Sequence, residues 1–289
     1  MNPAASRLRA LLARERCTLV PGAYNGLVAL ILERAGFDAI YAGGYAAAAA
    51  GYALPDLGLV SGSEMAAHVA RMACAVTVPV IADADTGYGN ALNATHTVRA
   101  FERAGAAAVQ IEDQVFPKRC GHMEGKEVIP MEEMVRKVRT AVAARTDPDT
   151  VIIARSDAIA VTGIDDAIQR LGAYAEAGAD LVFPDAPRSL EELSRIAAEV
   201  NAPLVANMSE FGKTPLTPFE TLAELGYSLV LYPTATLFAA AKSAFDVASL
   251  LKRDGTTANE LERFLPFGDL NQLVGVDSWL ALEHDPGVS

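Results

Sequence analysis

One phrase recurs along the chain and restricts its fold more than any other feature. Glu33-Arg-Ala-Gly36 precedes Asp38-Ala-Ile-Tyr41, and Glu102-Arg-Ala-Gly105 precedes Ala107-Ala-Val-Gln-Ile-Glu112. Glu176-Ala-Gly178 precedes Asp180-Leu-Val-Phe-Pro184, and Glu224-Leu-Gly226 precedes Ser228-Leu-Val-Leu-Tyr-Pro233. Each time, a helix is expected to end at a glycine able to turn left-handed, with an apolar strand a few residues on. Further apolar runs near Thr18–Ala23, Val78–Asp85, Val151–Asp157 and Pro203–Met208 bring the strands to eight. These runs are near-continuous rather than alternating, as in parallel strands buried on both faces. An open doubly wound sheet is the rival, but no GxGxxG opens the first helix and acidic strand ends are spread round the whole series. The expectation is therefore an α/β protein built as a (β/α)8 TIM-type barrel, for which 289 residues suffice. Residues 1–289 read as one barrel domain, with 254–289 as a C-terminal helical tail. Leu270, Leu273, Val274, Trp279 and Leu282 give that tail an apolar surface that needs a partner, either its own barrel or another chain.

In such barrels the chemistry collects at the C-terminal ends of the strands. Those ends read Tyr41-Ala-Gly-Gly44, Asp83-Ala-Asp85, Glu112-Asp113, Arg155-Ser-Asp157, Asp185, Asn207 and Tyr232. Residues two apart on a strand leave the same face, which pairs Asp83 with Asp85, Gln110 with Glu112 and Arg155 with Asp157. Several carboxylates converging on one mouth repel each other unless a cation joins them. Oxygen ligands without His or Cys favour a hard ion such as Mg²⁺. The competing reading is that these acids cap helices or pair with Arg155.

The segment Asp113-Gln-Val-Phe-Pro-Lys-Arg-Cys-Gly-His-Met-Glu-Gly-Lys126 is long for a strand-to-helix connection and has two glycines to hinge on, as expected of a lid. Cys120 stands between Lys118-Arg119 and His122, cations expected to favour its thiolate. Cys17 and Cys74 read as inert filler. His68 and His96, in helical patterns, and His284, in the tail, read as surface or packing residues.

Composition closes off other classes. The chain carries 36 acidic against 24 basic side chains, which argues against nucleic acid or an anionic membrane surface as partner. Its longest charge-free stretches, Ala39–Pro55 and Leu225–Ala241, are broken by Gly or Pro and fall short of the roughly 20 apolar residues of a membrane span. Met1 to Arg16 has no apolar core of a signal peptide. Three scattered cysteines without a CxxC pair fit a reducing cytoplasm.

Asp83-Ala-Asp85-Thr-Gly-Tyr-Gly89, Ile111-Glu-Asp-Gln114, Pro117-Lys-Arg-Cys-Gly-His122 and Ala154-Arg-Ser-Asp157 resemble the isocitrate lyase/phosphoenolpyruvate mutase superfamily. The likeness runs in order from Pro21-Gly-Ala-Tyr24 to Tyr232-Pro233. It implies a Mg²⁺-dependent barrel, with Mn²⁺ as a substitute, acting on a small 2-oxo or 2-hydroxy acid. It also implies a homotetramer exchanging C-terminal helices. Asp85 is then the metal contact, with Asp83, Asp56 and Glu112 completing the shell. Gly43, Gly44 and Tyr45 would cradle the substrate carboxylate or oxyanion. Lys118, Gly121, His122, Asp185 and Asn207 would also bind substrate, and Arg155 would bind its carboxylate oxygens. Cys120 would be the general acid, and Tyr41 a relay for a hydroxyl proton.

A cysteine in this loop marks the carbon–carbon lyases of the superfamily, and carboxyphosphonoenolpyruvate phosphonomutase resembles them. The implied function is a carbon–carbon lyase cleaving a 2-alkylmalate, dimethylmalate or methylisocitrate type of acid. A phosphonomutase, an oxaloacetate hydrolase or decarboxylase, and a non-catalytic binding barrel are the alternatives. Three departures bear on the choice. Gly43 stands where the lyases often have Ser, and Asp185 replaces Glu after Phe-Pro. Phe238 stands where methylisocitrate lyases tend to carry an Arg, which favours a smaller alkylmalate.

Overall fold

The computed structural model describes residues 2–14 and 16–283; His284 lies outside them. All eight expected strands form: β1 (Thr18–Pro21), β2 (Ile40–Ala42), β3 (Val80–Asp83), β4 (Ala108–Glu112), β5 (Val151–Ser156), β6 (Leu181–Pro184), β7 (Val205–Asn207) and β8 (Leu229–Tyr232). They lie in two parallel sheets, ordered β2-β3-β4-β5-β6 and β1-β8-β7. Single parallel bridges, Gly22 to Tyr41 and Val182 to Leu204, link the sheets at both junctions. The chain divides into two compact units, Met1–Leu237, which holds every strand, and Phe238–Ser289.

In the first unit the helices are α1 (Pro3–Leu12), α2 (Gly26–Arg34), α3 (Gly44–Tyr52), α4 (Gly62–Ala75), α5 (Ala91–Arg103), α6 (Met131–Ala144), α7 (Ile164–Glu176), α8 (Leu190–Glu199) and α9 (Phe219–Glu224). The glycines of the recurring phrase take the left-handed conformation, at φ of 91° for Gly36, 88° for Gly105, 104° for Gly178 and 93° for Gly226. The Ala46–Ala50 run lies inside α3, with Ala46, Ala47 and Ala48 buried. His68 packs on the buried face of α4, while His96 is exposed on α5.

Period two divides the strand side chains between two cores. Ile40, Val80, Val109, Ile152 and Val182 face the helices and pack with Leu32, Met72, Phe101, Val138 and Leu171. Val20, Ile81, Ala108, Ile153, Leu181 and Leu229 point the other way, into an inner core. α1 supplies Ala5, Leu8 and Leu11 to that inner core, beside the first residues of the strands. One end of the inner core is thus apolar and sealed. Two or four residues further along the same columns stand Asp83, Gln110, Glu112, Arg155, Asp185 and Asn207, so the other end is the polar one.

The glutamates of the phrase have a role the sequence does not announce. Glu33 accepts from the backbone N–H of Thr77 and Val78 and from the Thr77 hydroxyl, at 2.6, 3.1 and 2.9 Å. Glu102 likewise accepts from Thr146 N and Oγ1, Asp147 N and Thr150 Oγ1, at 2.8–3.2 Å. Each ties its helix to the loop that follows the next long helix.

The second unit, Phe238–Ser289, contains the greater part of α10 (Ala235–Asp254) and then α11 (Phe267–Leu273) and α12 (Val276–Glu283). Phe245, Phe267 and Trp279 are 75%, 82% and 73% exposed, and Leu270, Val274 and Leu282 are exposed too. Among the described residues no helix is long and apolar enough to cross a membrane.

Glu102→Ala is expected to lower stability by about 1–3 kcal/mol, because two backbone donors and two hydroxyls lose a charged acceptor. Urea denaturation measures it, and an unchanged midpoint would contradict the tie.

Candidate active site

At the polar end, β3 and the turn after it bring two carboxylates onto one face. Asp83 accepts from Gly44 N at 3.0 Å, from Asp85 N at 3.1 Å and from Gln110 Nε2 at 3.3 Å. Asp85 follows in the left-handed region, at φ 45°. Burial pushes its carboxyl up to about 6; Lys118 pulls it down, while Asp83 and Asp56 push it up. Glu112, at the end of β4, is also raised, by burial first, with Arg155 opposing.

Arg155 lies buried at the centre of the opposite wall. Its Nε and Nη2 grip both oxygens of Asp157 at 2.9 Å. Nη2 also lies 3.1 Å from Asp185, Nε lies 3.4 Å from Glu112, and the guanidinium sits over the Phe183 ring. No hydrogen bond to Nη1 is found among the described residues, so it is free to take an anionic oxygen. Tyr41 is buried on the same inner face and donates to Gln110 Oε1 at 3.2 Å; burial, then Asp83, keeps its phenol neutral. Asn207 Nδ2 reaches Asp185 at 3.4 Å.

The loop between β4 and α6 is closed over this mouth. A two-stranded stalk holds its ends, through the antiparallel bridge of Gln114 with Val128. Lys118 Nζ enters the acids, 2.5 Å from Asp56 and 2.9 Å from Asp85. Burial lowers its affinity for a proton, but Asp85 and Asp56 more than offset this and hold it charged. Cys120 N donates to the Asp56 carbonyl at 3.1 Å. Tyr45 stands close enough to Cys120 and Asp56 for both, after burial, to raise its phenol. Lys213 N donates to His122 Nδ1 at 3.2 Å.

The expected thiolate character of Cys120 is overturned. Burial pushes its thiol up to about 11, with Asp56 and Asp185 adding to the rise and a backbone hydrogen bond and Lys118 opposing it. The cations adjacent in sequence are engaged elsewhere: Lys118 with two carboxylates, Arg119 with the Glu124 carbonyl. His122 is itself held neutral by burial. The residue is a protonated thiol, suited to giving a proton rather than to attacking.

The structure thus gathers the expected site residues at one mouth, and adds three to which the sequence reading gave no role of their own. Asp157 is the principal partner of Arg155; its signal was the shared parity on β5. Lys126 is buried in the lid. Asp113, on the opposite strand face from Glu112, accepts from Ser156 Oγ, Tyr174 OH, Arg170 Nη1 and the Asp157 N–H at 2.7–3.3 Å. It fixes the end of β5 from behind, and nothing near it in sequence marks the helix residues Arg170 and Tyr174 as its partners.

The donor chemistry fits a divalent cation. The mouth is lined by oxygen acceptors, and Asp85 Oδ1, Glu112 Oε1, Asp185 Oδ2 and Asn207 Oδ1 are buried without a hydrogen bond. Asp85 Oδ1 pairs with Lys118 at 2.9 Å. Among the described residues no three acidic, cysteine or histidine side chains already form an ion cage. Lys118 stands between Asp56 and Asp85 as the positive charge.

Gly121 presses the lid onto this arrangement: a Cβ there would lie 2.0 Å from Asp185 Oδ2 and 2.5 Å from Arg155 Nη2. Gly121→Ala should therefore keep the lid from seating while the rest of the fold is kept. Trypsin cleavage at Lys118 and Arg119 is expected to rise at least about tenfold, following the open population, with an unchanged urea midpoint. Unaltered cleavage would mean that the lid seats otherwise.

Residues 8–252 match the family model described as phosphoenolpyruvate phosphomutase. The chain is 44% identical to 2,3-dimethylmalate lyase of Eubacterium barkeri, across 99% of this chain and 98% of the relative. It is 46% identical to 2-methylisocitrate lyase of Aeropyrum pernix, across 93% and 86%. Among solved structures, oxaloacetate acetylhydrolase in complex with 3,3-difluorooxalacetate superposes with a TM-score of 0.94 at 30% identity, covering 99% and 98% of the two chains. A phosphonopyruvate hydrolase complex with oxalate and Mg²⁺ gives 0.89 at 32%, covering 99% of each. The chain belongs to the phosphoenolpyruvate phosphomutase family, and so to the lyases and mutases of the isocitrate lyase/phosphoenolpyruvate mutase superfamily.

Proposed function

We propose that the protein is a Mg²⁺-dependent carbon–carbon lyase that cleaves a small 2-alkylmalate, of the dimethylmalate kind, to a 2-oxo acid and a second carboxylic acid. The observation that carries this reading is Cys120, a protonated thiol held by a closed lid over a buried arginine and a cluster of buried carboxylates. Phe238, in place of the arginine that the resemblance assigns to methylisocitrate lyases, favours the smaller acid. The two interstrand bridges support a closed (β/α)8 barrel. The exposed apolar tail supports exchange of the C-terminal helices within a homotetramer, in the cytoplasm.

Asp85, with Asp83, Asp56 and Glu112, would hold the Mg²⁺ (or Mn²⁺). Bound there, the cation would offset the gathered carboxylates and polarise the substrate's C2 oxygen. Arg155 Nη1 takes a substrate carboxylate oxygen, and the Gly43–Tyr45 backbone cradles the same end; Asn207 and His122 line the rim. As the C2 hydroxyl passes its proton to a carboxylate of the mouth, from which it later returns to the Cys120 thiolate, C2=O forms and the C2–C3 bond breaks. The electron pair passes to C3, conjugated with its carboxylate. Cys120 then delivers its S–H proton to C3, and the thiolate regains a proton before the next turnover. Tyr41, a neutral phenol, relays by hydrogen bonding rather than as a base. The lid excludes water that would quench the carbanion.

A panel of 2-hydroxy and 2-oxo dicarboxylates, assayed with Mg²⁺ for 2-oxo acid release, tests this. An alkylmalate is expected to turn over, EDTA to abolish the reaction and Mg²⁺ to restore it. Cys120→Ser is expected to lose about 10²–10⁴-fold in kcat, the usual contribution of a positioned acid. Undiminished turnover in that variant would remove Cys120 from the chemistry. Oxalate release from oxaloacetate alone, or carbon–phosphorus bond formation seen by phosphorus NMR, would replace the lyase reading. Sedimentation should give the mass of a tetramer; a monomer would refute the exchanged tail.

A further inference from the structure

The lid carries a second buried lysine that the reaction scheme does not use. Lys126 has a side chain only 2% exposed, and Nζ lies 3.0 Å from Asp157 Oδ1 and 3.6 Å from Asp185 Oδ2. The same nitrogen donates to the carbonyl of Gly121, five residues back in the lid. Burial lowers the affinity of this amine for its proton, while Asp157 and Asp185 more than restore it, so the group stays an ammonium.

The two lid lysines take opposite sides of the mouth. Lys118 goes to Asp56 and Asp85, beside β3; Lys126 goes to the acids at the ends of β5 and β6. Between them in sequence lies Cys120-Gly121-His122. Gly121 is pressed onto the Asp185–Arg155 pair so closely that its carbonyl, Asp157 and Asp185 form a group of acceptors. Lys126 is the donor that joins them. Without it, closing the lid would bring a carbonyl dipole against carboxylates in a site from which water is excluded, at a penalty that low polarity magnifies. Asp157 would lose little by itself, because Arg155 holds both of its oxygens. The function of Lys126 is therefore in seating the lid rather than in stabilising the barrel wall.

We propose that Lys126 is a positioning residue: a latch that fixes the Cys120-Gly121-His122 turn over Arg155 by tying the Gly121 carbonyl to the carboxylates of Asp157 and Asp185. As a statement about catalysis this rests on the lyase reading of Cys120. As a statement about the lid it stands alone, and the test separates the two.

The test uses the full chain with Mg²⁺ and a Cys74→Ser background, because Cys74 is exposed and Cys17 is buried. Iodoacetamide then reports on Cys120. Lys126→Met is expected to be alkylated at Cys120 at least about tenfold faster, as the thiol leaves its buried site, with the urea midpoint unchanged. Lys126→Arg, which keeps the charge, should restore slow alkylation at least in part. In turnover, Lys126→Met should lower kcat at least about tenfold with KM within about threefold, since the loss falls on the proton-delivering geometry rather than on substrate binding. Equal alkylation rates in the unaltered, Met and Arg proteins would overturn the latch. Faster alkylation with unchanged kcat would overturn its positioning role. Faster alkylation in a protein that releases no 2-oxo acid from any substrate would uphold the latch while removing the lyase reading.

Discussion

The ion pair between Arg155 and Asp157 is the interaction on which the rest of the mouth depends. Both groups are buried, and the bidentate contact satisfies both carboxylate oxygens at once. Against the upward push of burial, Arg155 and Lys126 hold Asp157 well below the usual carboxylate range. The same guanidinium faces Asp185 and Glu112, so its removal would strand several buried carboxylates, a loss of about 3–5 kcal/mol for a single broken pair. Asp113 secures the arrangement from outside the strand by accepting the Asp157 N–H and the Ser156 hydroxyl. The wall formed by β4, β5 and β6 is thus rigid before the lid arrives.

That rigidity determines what the open positions of the mouth can accept. Asp56, Asp83, Asp85, Glu112, Asp157 and Asp185 outnumber the buried cations Arg155, Lys118 and Lys126. The excess is concentrated around Asp83, Asp85 and Glu112, where only Lys118 comes from the lid. A cation of higher charge density, taking oxygen ligands, offsets this excess in a way that no further side chain of the mouth does. The acidic surplus of the whole chain therefore has a local component at this mouth.

Period two made much of this legible in the sequence. The recurring helix–glycine–strand phrase located β2, β4, β6 and β8, apolar runs located the other four, and parity placed Asp83 with Asp85 and Arg155 with Asp157 on the inner face. The rest depends on closure in three dimensions. Cys120 was misjudged because its sequence neighbours are basic, whereas in the fold those charges turn to Asp56, Asp85 and the Glu124 carbonyl, and burial decides the thiol. Lys126 reads as a solvated loop residue until the lid is down. Arg170 and Tyr174 lie on the buried face of α7, 57 and 61 residues from Asp113, so their contact with it has no local pattern. Glu33 and Glu102 belong to the phrase itself, but their partners are 44 or more residues away.

Close packing also explains why glycine recurs where the substrate carboxylate is proposed to lie. A Cβ on Gly43 would stand 2.9 Å from the Tyr41 ring, and one on Gly44 would stand 3.1 Å from Asp85 and 3.2 Å from Asp83. Gly121 closes the opposite side, with even less room. Backbone therefore forms both the floor and the roof of the cradle, held against buried ions that cannot retreat. A cradle this tight offers a carboxylate the same backbone and arginine whatever the acid. On the proposed reading, discrimination between acids would then fall to less tightly held side chains of the mouth, such as Tyr45 and His122, whose surroundings no local sequence pattern announces.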